Sequence, residues 1–334
     1  MKKIISILLS LILVLTFAAC GTANTNSTPS DTEISKLDAK CNIYALKGPT
    51  GIGLVSLMEK SSNGKAGMDY SFNLVGSNDE IVAKIINKEA DIAAVATNLA
   101  STLYEKTKGE ISVLSINTLG VLTLVSKGEE IASIKDLKGK TVYSTGQGAN
   151  PEYILNYVLE KNGLKAGTDV NVEFVSQPQE LVSKVIGNQK AIAIAPQPVA
   201  TTITIQDANA KIVLDINDEW EKHSDTDLVM GCIIARNDYI SENPQAVKLF
   251  LKEYEESIKA VNDDIDSAAN LCVKYEIIPK APIAKKAIPY CNIVYQDGKE
   301  LKTNLKAYLK FLYDCNPKSI GGKLPADSFY YETK

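Results

Sequence analysis

Histidine, arginine and tryptophan are nearly absent from this chain, which has one of each among 334 residues. Proton transfer near neutral pH most often uses histidine, and the only one, His223, lies in a polar run typical of a solvated loop. The sequence contains neither a nucleophile motif nor a spacing of ligands typical of a metal site. We therefore predict a protein that is not an enzyme, with no catalytic residues, no metal and no cofactor.

Positive charge is also scarce, since 36 Lys and Arg stand against 40 Asp and Glu, for a formal net charge of −4. Binding to nucleic acid needs a basic face that neutralises phosphates. A mildly acidic chain with a single arginine, Arg236, does not offer one. We therefore exclude nucleic acid as a partner.

Long apolar runs are absent beyond the first residues. Residues 4–17 are almost wholly apolar, follow Lys2 and Lys3, and end at Ala18, Ala19 and Cys20. A membrane-spanning helix needs ~20 apolar residues, whereas a secretory signal needs fewer. The pattern predicts a signal peptide over 1–19 and a lipid on the Cys20 thiol. This lipid would anchor the protein on the outer face of the bacterial cytoplasmic membrane, or in the periplasm. The alternative is an ordinary cleaved signal with an incidental cysteine.

Residues 20–40 are mostly small and polar, without apolar periodicity, which predicts a lipidated flexible tether. Five cysteines follow Cys20, and an odd number cannot all pair within one chain. Either one disulfide forms among Cys272, Cys291 and Cys315, or these are buried free thiols.

Short apolar strands alternate with amphipathic helices from residue 41 onward, which favours an α/β fold with mostly parallel sheets. Ser77 and Glu80 have the spacing of a capping box at the start of one such helix. About 314 residues remain after the signal, which is more than one compact core usually holds. We therefore expect two lobes.

An internal repeat supports two lobes that resemble each other. Residues 80–102 align without gaps on residues 180–202, with eight of 23 positions identical. The likeness extends upstream, where residues 70–75 parallel residues 170–175. The repeat predicts two similar α/β lobes.

Two apolar runs, 113–126 and 227–235, flank the second repeat. Each reads as a long strand that crosses from one lobe to the other. The predicted limits are 41–122 plus 235–334 for lobe 1, and 123–234 for lobe 2. Two hinge crossings permit the lobes to close on a ligand.

Ligand contacts in such a fold come from loops at the carboxyl ends of strands, where helices begin. Glycines permit close approach of the backbone, and hydroxyl and amide side chains at helix starts suit a polar or anionic small molecule. Each loop taken alone also fits simple turn chemistry and a helix cap. The candidate binding residues are Gly48, Thr50, Gly51, Thr97, Asn98, Thr118, Ser144, Thr145, Gly146, Gln147, Asn150 and Gln197.

These features together resemble the substrate-binding proteins of ABC importers, in the group for nitrate, sulfonates, taurine and the pyrimidine precursor of thiamine. The resemblance is carried by the segment ending at Cys20, the glycine loop at 48–53, the repeat, the loop at 144–150 and the segment 196–201. The segments 236–247 and 324–331 extend it. It implies the type II periplasmic binding protein fold.

The resemblance implies a monomer that binds a small organic molecule or oxyanion and delivers it to an ABC permease and its ATPase. Two departures bear on the ligand: Gln197 precedes Pro198 where many relatives have glutamate, and Arg236 follows the second crossing, where a scaffold role is expected. We therefore favour a neutral or weakly charged ligand, such as a heterocycle stacked on Tyr44, Tyr143 or Tyr153. The alternative is a non-transport member of the same fold, either a pyrimidine-synthase-like enzyme or a sensor lobe.

Overall fold

The computed structural model describes residues 36–332. The predicted signal peptide, Cys20 and most of the predicted tether lie outside these residues. Within residues 36–332, no helix is long and apolar enough to cross a membrane. Residues 36–39 contact the folded body, because Leu37 N donates to Gly67 O at 2.7 Å and β1 begins at Lys40. The predicted tether therefore extends about five residues too far.

The first part of the chain alternates strands and helices as predicted. Its elements are β1 (Lys40–Leu46), α1 (Pro49–Ile52), α2 (Val55–Ser62), β2 (Asp69–Val75), α3 (Asn78–Ile86), β3 (Ile92–Ala96), α4 (Thr97–Lys106) and β4 (Ile111–Thr118). Ser77 caps α3, since its Oγ accepts from Glu80 N at 3.3 Å. This is one half of the predicted capping box.

The middle of the chain repeats this pattern. Its elements are β5 (Leu122–Lys127), β6 (Thr141–Thr145), α5 (Asn150–Lys161), β7 (Asn171–Val175), α6 (Pro178–Gly187), β8 (Ala191–Pro196), α7 (Val199–Gln206), β9 (Ala210–Asp215) and α8 (Ile216–Glu221). The aligned segments of the repeat form equivalent elements, since α3, β3 and α4 correspond to α6, β8 and α7.

The last part of the chain is mainly helical. Its elements are β10 (Gly231–Arg236), α9 (Asn237–Glu242), α10 (Pro244–Asp263), α11 (Ile265–Lys274), α12 (Ala281–Ala287), β11 (Ile293–Gln296) and α13 (Gly298–Cys315). Asn243 precedes α10 and Pro244 is its first residue, but the Asn243 side chain makes no capping bond. Cys272 and Cys291 are buried free thiols and Cys315 is an exposed one, so the disulfide alternative does not hold here.

Two sheets organise these elements into two similar α/β lobes, which confirms the predicted fold class. The first sheet has the order β11-β4-β10-β3-β1-β2, and the second has the order β7-β6-β8-β5-β9. Parallel pairs β1–β3 and β6–β8 lie at equivalent places. In each sheet an antiparallel strand, β10 or β5, pairs with the last parallel strand.

The predicted crossings differ from the structure in detail. Residues 113–126 do not form one strand, because β4 ends at Thr118 and β5 begins at Leu122. The break falls at residues 119–121, where Gly120 N bonds the Asn217 side chain of α8 at 3.2 Å. The second crossing is residues 227–230, since Gly231 already pairs in the first sheet. The predicted boundary at 234/235 is therefore four residues late.

The buried apolar residues form three clusters. One lies between the first sheet and the helices α2 and α10, and another lies between the second sheet and the helices α6 and α7. The third is continuous between the lobes, because it contains residues of α3, α4 and α13 together with residues of α5 and α8. The lobes are therefore packed together on one face of the crossings.

Candidate ligand-binding cleft

The loops predicted to bind the ligand lie side by side within each lobe. β1 and β3 are parallel neighbours, so the loop at 48–51 lies beside residues 97–98. β6 and β8 are also parallel neighbours, so the loop at 144–150 lies beside residues 196–198. Each lobe thus presents two loops at the carboxyl edge of its sheet.

Each crossing segment forms a backbone hydrogen bond with the loop that follows β3 or β8. Thr97 N donates to Met230 O at 3.2 Å, and Gln197 N donates to Val121 O at 2.9 Å. Thr97 and Gln197 are equivalent positions of the repeat, and Met230 and Val121 belong to the two crossings. Both residues therefore lie at the base of the cleft, where the lobes meet.

Three buried polar atoms at these loops lack any hydrogen-bond partner: Thr97 Oγ1, Asn150 Oδ1 and Gln197 Nε2. Their residues are 0%, 6% and 2% exposed. In the part of the chain that the structure describes, the only other such atom is Ser115 Oγ, inside β4. Buried polar atoms in folded proteins nearly always have partners. Three of the predicted binding residues thus carry a buried polar atom that has no partner within the described residues.

The Gln197 side chain is oriented by its own helix. Its Oε1 accepts from Thr201 Oγ1 at 2.7 Å and from Thr201 N at 3.4 Å. Because a backbone N–H only donates, the oxygen must face Thr201, which leaves Nε2 as a free donor. The hydroxyl of Thr97 either donates or accepts. Asn98, next to it, is half-buried, and its carbonyl accepts from Thr102 Oγ1 at 3.0 Å.

In the first lobe, Asn117 organises the cleft, although sequence reasoning selected only its neighbours. Its Nδ2 donates to Thr50 O at 3.0 Å and to Tyr254 Oη at 3.1 Å. Thr118 Oγ1 donates to Asn117 Oδ1 at 3.0 Å. A Cβ on Gly231 would lie 2.6 Å from Thr50 Cγ2. Asn117 therefore fixes the positions of Thr50 and Thr118 through hydrogen bonds.

The loop at 48–51 needs its glycines. Gly48 has φ of 110°, a left-handed conformation that favours glycine. A Cβ on Gly51 would lie 2.7 Å from Leu46 O. Both residues are buried. They permit the sharp turn from β1 into α1, which brings the backbone to the cleft.

The loop at 144–150 leads from β6 into α5. Ala149 is the N-cap of α5, and Asn150 lies in its first turn, so Asn150 is not a capping residue. Ser144 is buried and its Oγ donates to Thr145 O at 3.1 Å. Thr145 and Gly146 are half-buried, and Gln147 is exposed. Asn150 is therefore the one residue of this loop with a buried, unpartnered polar atom.

The lobes also make contacts outside the continuous apolar cluster. Tyr153 Oη donates to Gly148 O at 2.6 Å and accepts from Asn316 Nδ2 of the first lobe at 3.0 Å. In addition, α12 of the first lobe packs against α7 of the second, and Ile283 and Val199 line a cavity of about 380 Å³ there. Sequence reasoning missed Asn316 and Ile283, because each contacts a residue of the other lobe that lies far away along the chain.

Two of the three predicted stacking tyrosines face away from the cleft. The Lys184 ammonium lies 5.3 Å from the centre of the Tyr143 ring. Tyr143 also lines a cavity of about 290 Å³ with Lys140 and Lys190, at the opposite end of β6. Tyr44 has the same register in β1 as Tyr143 in β6. Tyr143 and, by its equivalent register, Tyr44 therefore lie away from the cleft loops, whereas Tyr153 bonds Gly148 of the loop at 144–150.

Arg236 also lies away from the cleft, in the scaffold role expected of it. Its Nη2 bonds Asp91 Oδ1 at 2.8 Å, its Nη1 bonds Asp238 Oδ2 at 2.9 Å, and its Nε donates to Ala90 O at 2.9 Å. Asp91 precedes Thr97 by six residues along β3, which is roughly 20 Å. A guanidinium occupied at that distance does not reach a ligand beside Thr97.

The single histidine is on the surface, as predicted. His223 is exposed, and its carbonyl accepts from Tyr157 Oη at 2.7 Å. At the cleft loops, the only cationic side chain is that of Lys47. Lys47 is exposed and lies 3.4 Å from Glu276. The buried groups of the cleft are thus hydroxyls and amides.

One carboxyl group near the first crossing, that of Asp215, has an altered pKa. The pKa of Asp215 is raised to about 6, mainly by burial and also by the nearby Asp218 and Glu221 carboxylates, against a hydrogen bond from Asn217 N that lowers it. Asp215 caps α8, and Asn217 bonds Gly120 of the first crossing. Ionised Asp215 therefore lowers the stability of the folded protein near neutral pH.

Asp215→Asn is expected to stabilise the protein at pH 8 by roughly 1 kcal/mol, after discounting the shift for partial solvent screening. Asparagine retains the cap. Because the pKa of the folded state exceeds the usual 3.8, the cost is present above pH 6 and disappears as the pH falls towards 4. Urea unfolding at pH 8, 6 and 4 measures this, and a gain that persists at pH 4 would contradict it.

A comparison with known families places the chain among described relatives. A family model with the description NMT1/THI5-like matches residues 65–268. Proteins of Brucella abortus strain 2308 and Brucella suis biovar 1, each named only as a binding protein, are 26% identical over 185 residues. The aligned region spans 55% of this chain and 56% of each Brucella protein.

Solved structures resemble the chain over most of its length. An ABC transporter protein from Parabacteroides distasonis has a TM-score of 0.75 at 20% identity, covering 89% of this chain and 100% of that one. The periplasmic aliphatic sulphonate-binding protein of Escherichia coli has a TM-score of 0.69 at 14% identity, covering 88% and 92%. The periplasmic nitrate-binding protein of Synechocystis PCC 6803 has a TM-score of 0.60 at 15% identity, covering 84% and 83%. This likeness confirms the type II periplasmic binding protein fold.

Proposed function

This chain belongs to the NMT1/THI5-like family, whose model covers residues 65–268, and we propose that it is the solute-binding component of an ABC importer. The lobes close on a small molecule in the cleft. The structural relatives named above include binding proteins for a sulphonate and for nitrate. Their shared fold supports a role in solute binding.

One observation carries this proposal: the unpartnered atoms of Thr97, Asn150 and Gln197. They lie on loops of both lobes, and Thr97 and Gln197 occupy equivalent positions beside the two crossings. Burying a polar group without a partner is costly. A small molecule between the lobes would satisfy all three atoms, and it would favour the arrangement in which the lobes meet.

The proposal includes a cellular setting. A lipid on Cys20 would hold the protein on the outer face of the bacterial cytoplasmic membrane, and residues up to 35 would tether the body to it. The monomer would deliver its ligand to the permease, which a separate ATPase powers. The first lobe would comprise residues 36–118 and 231–332, and the second residues 122–226, since these limits follow the sheets.

Thermal-shift screening of the purified protein against transported solutes tests the proposal. A ligand at 100 times its dissociation constant adds about 2.7 kcal/mol to the free energy of unfolding. We expect at least one solute of the panel to raise the melting temperature in proportion to the logarithm of its concentration. If no solute does so, the protein is not a binding component.

Thr97→Val is expected to weaken ligand binding by roughly 1 to 2 kcal/mol, or about 5- to 30-fold, because the ligand loses its hydroxyl partner. Stability without ligand should be unchanged or higher, since the hydroxyl has no partner in the protein. Calorimetric titration and urea unfolding measure the two quantities.

Thr123→Val is the matched control for this prediction. Thr123 is fully buried in β5, and its Oγ1 donates to Ala195 O at 3.4 Å. We expect this variant to lose stability and to retain full affinity. A Thr97→Val variant that loses stability but binds normally would show that Thr97 is merely structural.

A further inference from the structure

We infer that Tyr153 and Asn316 form a latch between the two lobes, which positions the loop at 144–150 for the solute. This inference rests on the proposed function and adds two positioning residues to it. Tyr153 belongs to α5 of the second lobe, and Asn316 follows α13 of the first. Both act through Gly148 of the loop, whose carbonyl the latch holds.

The Asn316 amide has a fixed orientation, because a backbone group of its own lobe binds its oxygen. Lys318 N donates to Asn316 Oδ1 at 3.1 Å. A backbone N–H only donates, so the other atom of the amide is the donor Nδ2. The Asn316 backbone is also held, since its N donates to Leu312 O at 2.9 Å and its O accepts from Ser319 Oγ at 2.7 Å. The first lobe therefore presents an N–H group at a fixed place.

The Tyr153 hydroxyl links this N–H group to the binding loop. It accepts from Asn316 Nδ2 at 3.0 Å and donates its one hydrogen to Gly148 O at 2.6 Å. Both directions follow from the chemistry of the partners, because an amide nitrogen only donates and a carbonyl only accepts. Bonds in such a chain polarise and strengthen one another. Three residues from two lobes thus form one directed chain.

Gly148 is bound at both of its backbone groups by side chains of α5. Gly148 N donates to Glu152 Oε2 at 2.5 Å, and its carbonyl accepts from Tyr153 Oη. Gly148 has φ of 72° and Gly146 has φ of 78°. Glycine adopts these left-handed conformations easily, but it loses more conformational freedom on folding than other residues do. The two side-chain bonds therefore fix the course of the loop that leads to Asn150.

The bond between Asn316 and Tyr153 joins the lobes, so they cannot separate at this place without breaking it. A second tyrosine of α5 lacks this property. One turn further along the helix, Tyr157 Oη donates to His223 O at 2.7 Å, which lies in the same lobe. Both tyrosines are half-buried. They therefore provide a matched pair of hydroxyls, one between the lobes and one within a lobe.

Amide hydrogen exchange tests the positioning of the loop without any solute. Tyr153→Phe removes the hydroxyl and retains the ring. We expect exchange across residues 146–149 to become about 3- to 10-fold faster, because the loop loses a hydrogen bond. The control Tyr157→Phe should leave this segment unchanged. Mass spectrometry on the full exported chain measures both variants.

Binding is measured with the solute of the transport panel that gives the largest thermal shift with the unchanged chain. We expect Tyr153→Phe to weaken this binding about 3- to 10-fold. The loss should lie mainly in the dissociation rate, because the latch no longer opposes separation of the lobes. Tyr157→Phe should bind normally. Calorimetry and stopped-flow kinetics measure the two quantities.

Asn316→Asp tests the other end of the latch. Aspartate retains an acceptor for Lys318 N but offers no N–H, so the Tyr153 hydroxyl can keep only one of its two bonds. We expect the same changes as in Tyr153→Phe, and the double variant should lose no more than either single one. The control Asn188→Asp makes the same change in charge at an exposed position after α6, and it should bind normally.

Several results would overturn the inference while the proposed function stands. One is normal binding by Tyr153→Phe or by Asn316→Asp, since a faster exchange alone would show only a structural role. Another is an equal effect of Tyr157→Phe. Weaker binding without faster exchange would place the Tyr153 hydroxyl on the solute itself and remove the latch. If no solute binds the unchanged chain, the proposed function fails and the inference fails with it.

Discussion

Replacing Arg236 with alanine is expected to lower the free energy of unfolding by about 3 to 5 kcal/mol, because the change leaves a buried carboxylate without its cation. Asp91 is 8% exposed, and it would retain only the bonds from Asn42 N at 2.8 Å and Asn42 Nδ2 at 3.2 Å. Arg236 also ties β10 to Ala90 O, just before β3. Urea unfolding of the variant measures the loss.

Two comparisons make this result specific. Arg236→Lys keeps the charge but cannot reach all three partners, so we expect it to lose about 2 kcal/mol. Lys88→Ala removes the exposed ammonium that bonds Asp238 at 2.8 Å, and it should lose less than about 1 kcal/mol. At urea concentrations at which the protein remains folded, the variants Arg236→Ala, Arg236→Lys and Lys88→Ala should all retain their ligand affinity. An Arg236→Ala variant that stays stable but no longer binds would place the guanidinium at the ligand instead.

The repeat made most of the fold predictable from sequence. Because residues 80–102 and 180–202 form the same helix–strand–helix unit, their alignment also aligned Thr97 with Gln197. The positions of the loops at 48–51 and 144–150 follow from parallel strand pairing, since the carboxyl ends of adjacent parallel strands lie at one edge of the sheet. The predicted binding residues Thr97, Asn150 and Gln197 are therefore the ones that carry unpartnered atoms.

Contacts between distant segments could not be predicted in this way. The run 113–126 is apolar throughout, yet it breaks at Gly120 because Asn217 of α8 bonds its N–H. Asn292 Nδ2 bonds Gly120 O at 2.5 Å from the other side. Nothing within the run itself identifies these partners. The same is true of Tyr153, whose position at the cleft depends on Asn316, 163 residues away.

Side-chain direction was the other source of error. Tyr44 and Tyr143 precede the cleft loops by only a few residues, and alternation along a strand sends neighbouring side chains to opposite faces. The Lys184 ammonium on α6 lies over the Tyr143 ring, which fixes the face that this tyrosine occupies. A short distance in sequence from a cleft loop therefore did not show on which face of the sheet a side chain lies.

Trp220→Ala is expected to destabilise the protein by about 3 to 5 kcal/mol, since Trp220 is 2% exposed and the change leaves a large cavity. Its ring centre lies 4.5 Å from that of Tyr157 in its own lobe. It lies 4.9 Å and 6.2 Å from the rings of Phe311 and Tyr308, on α13 of the other lobe. Trp220→Phe should lose less, because it removes mainly the bond from Nε1 to Thr226 O at 2.7 Å.

A double-mutant cycle shows whether this loss belongs to one lobe or to the contact between two. Trp220 and Phe311 each change to alanine, singly and together, and unfolding is followed in urea. Edge-to-face aromatic pairs contribute about 0.5 to 1.5 kcal/mol beyond burial, so the double variant should lose less than the two single losses combined by about that amount. Strict additivity would mean that the lobes do not share this cluster. Coupling would show that α8 and α13 hold the two lobes together through this aromatic cluster.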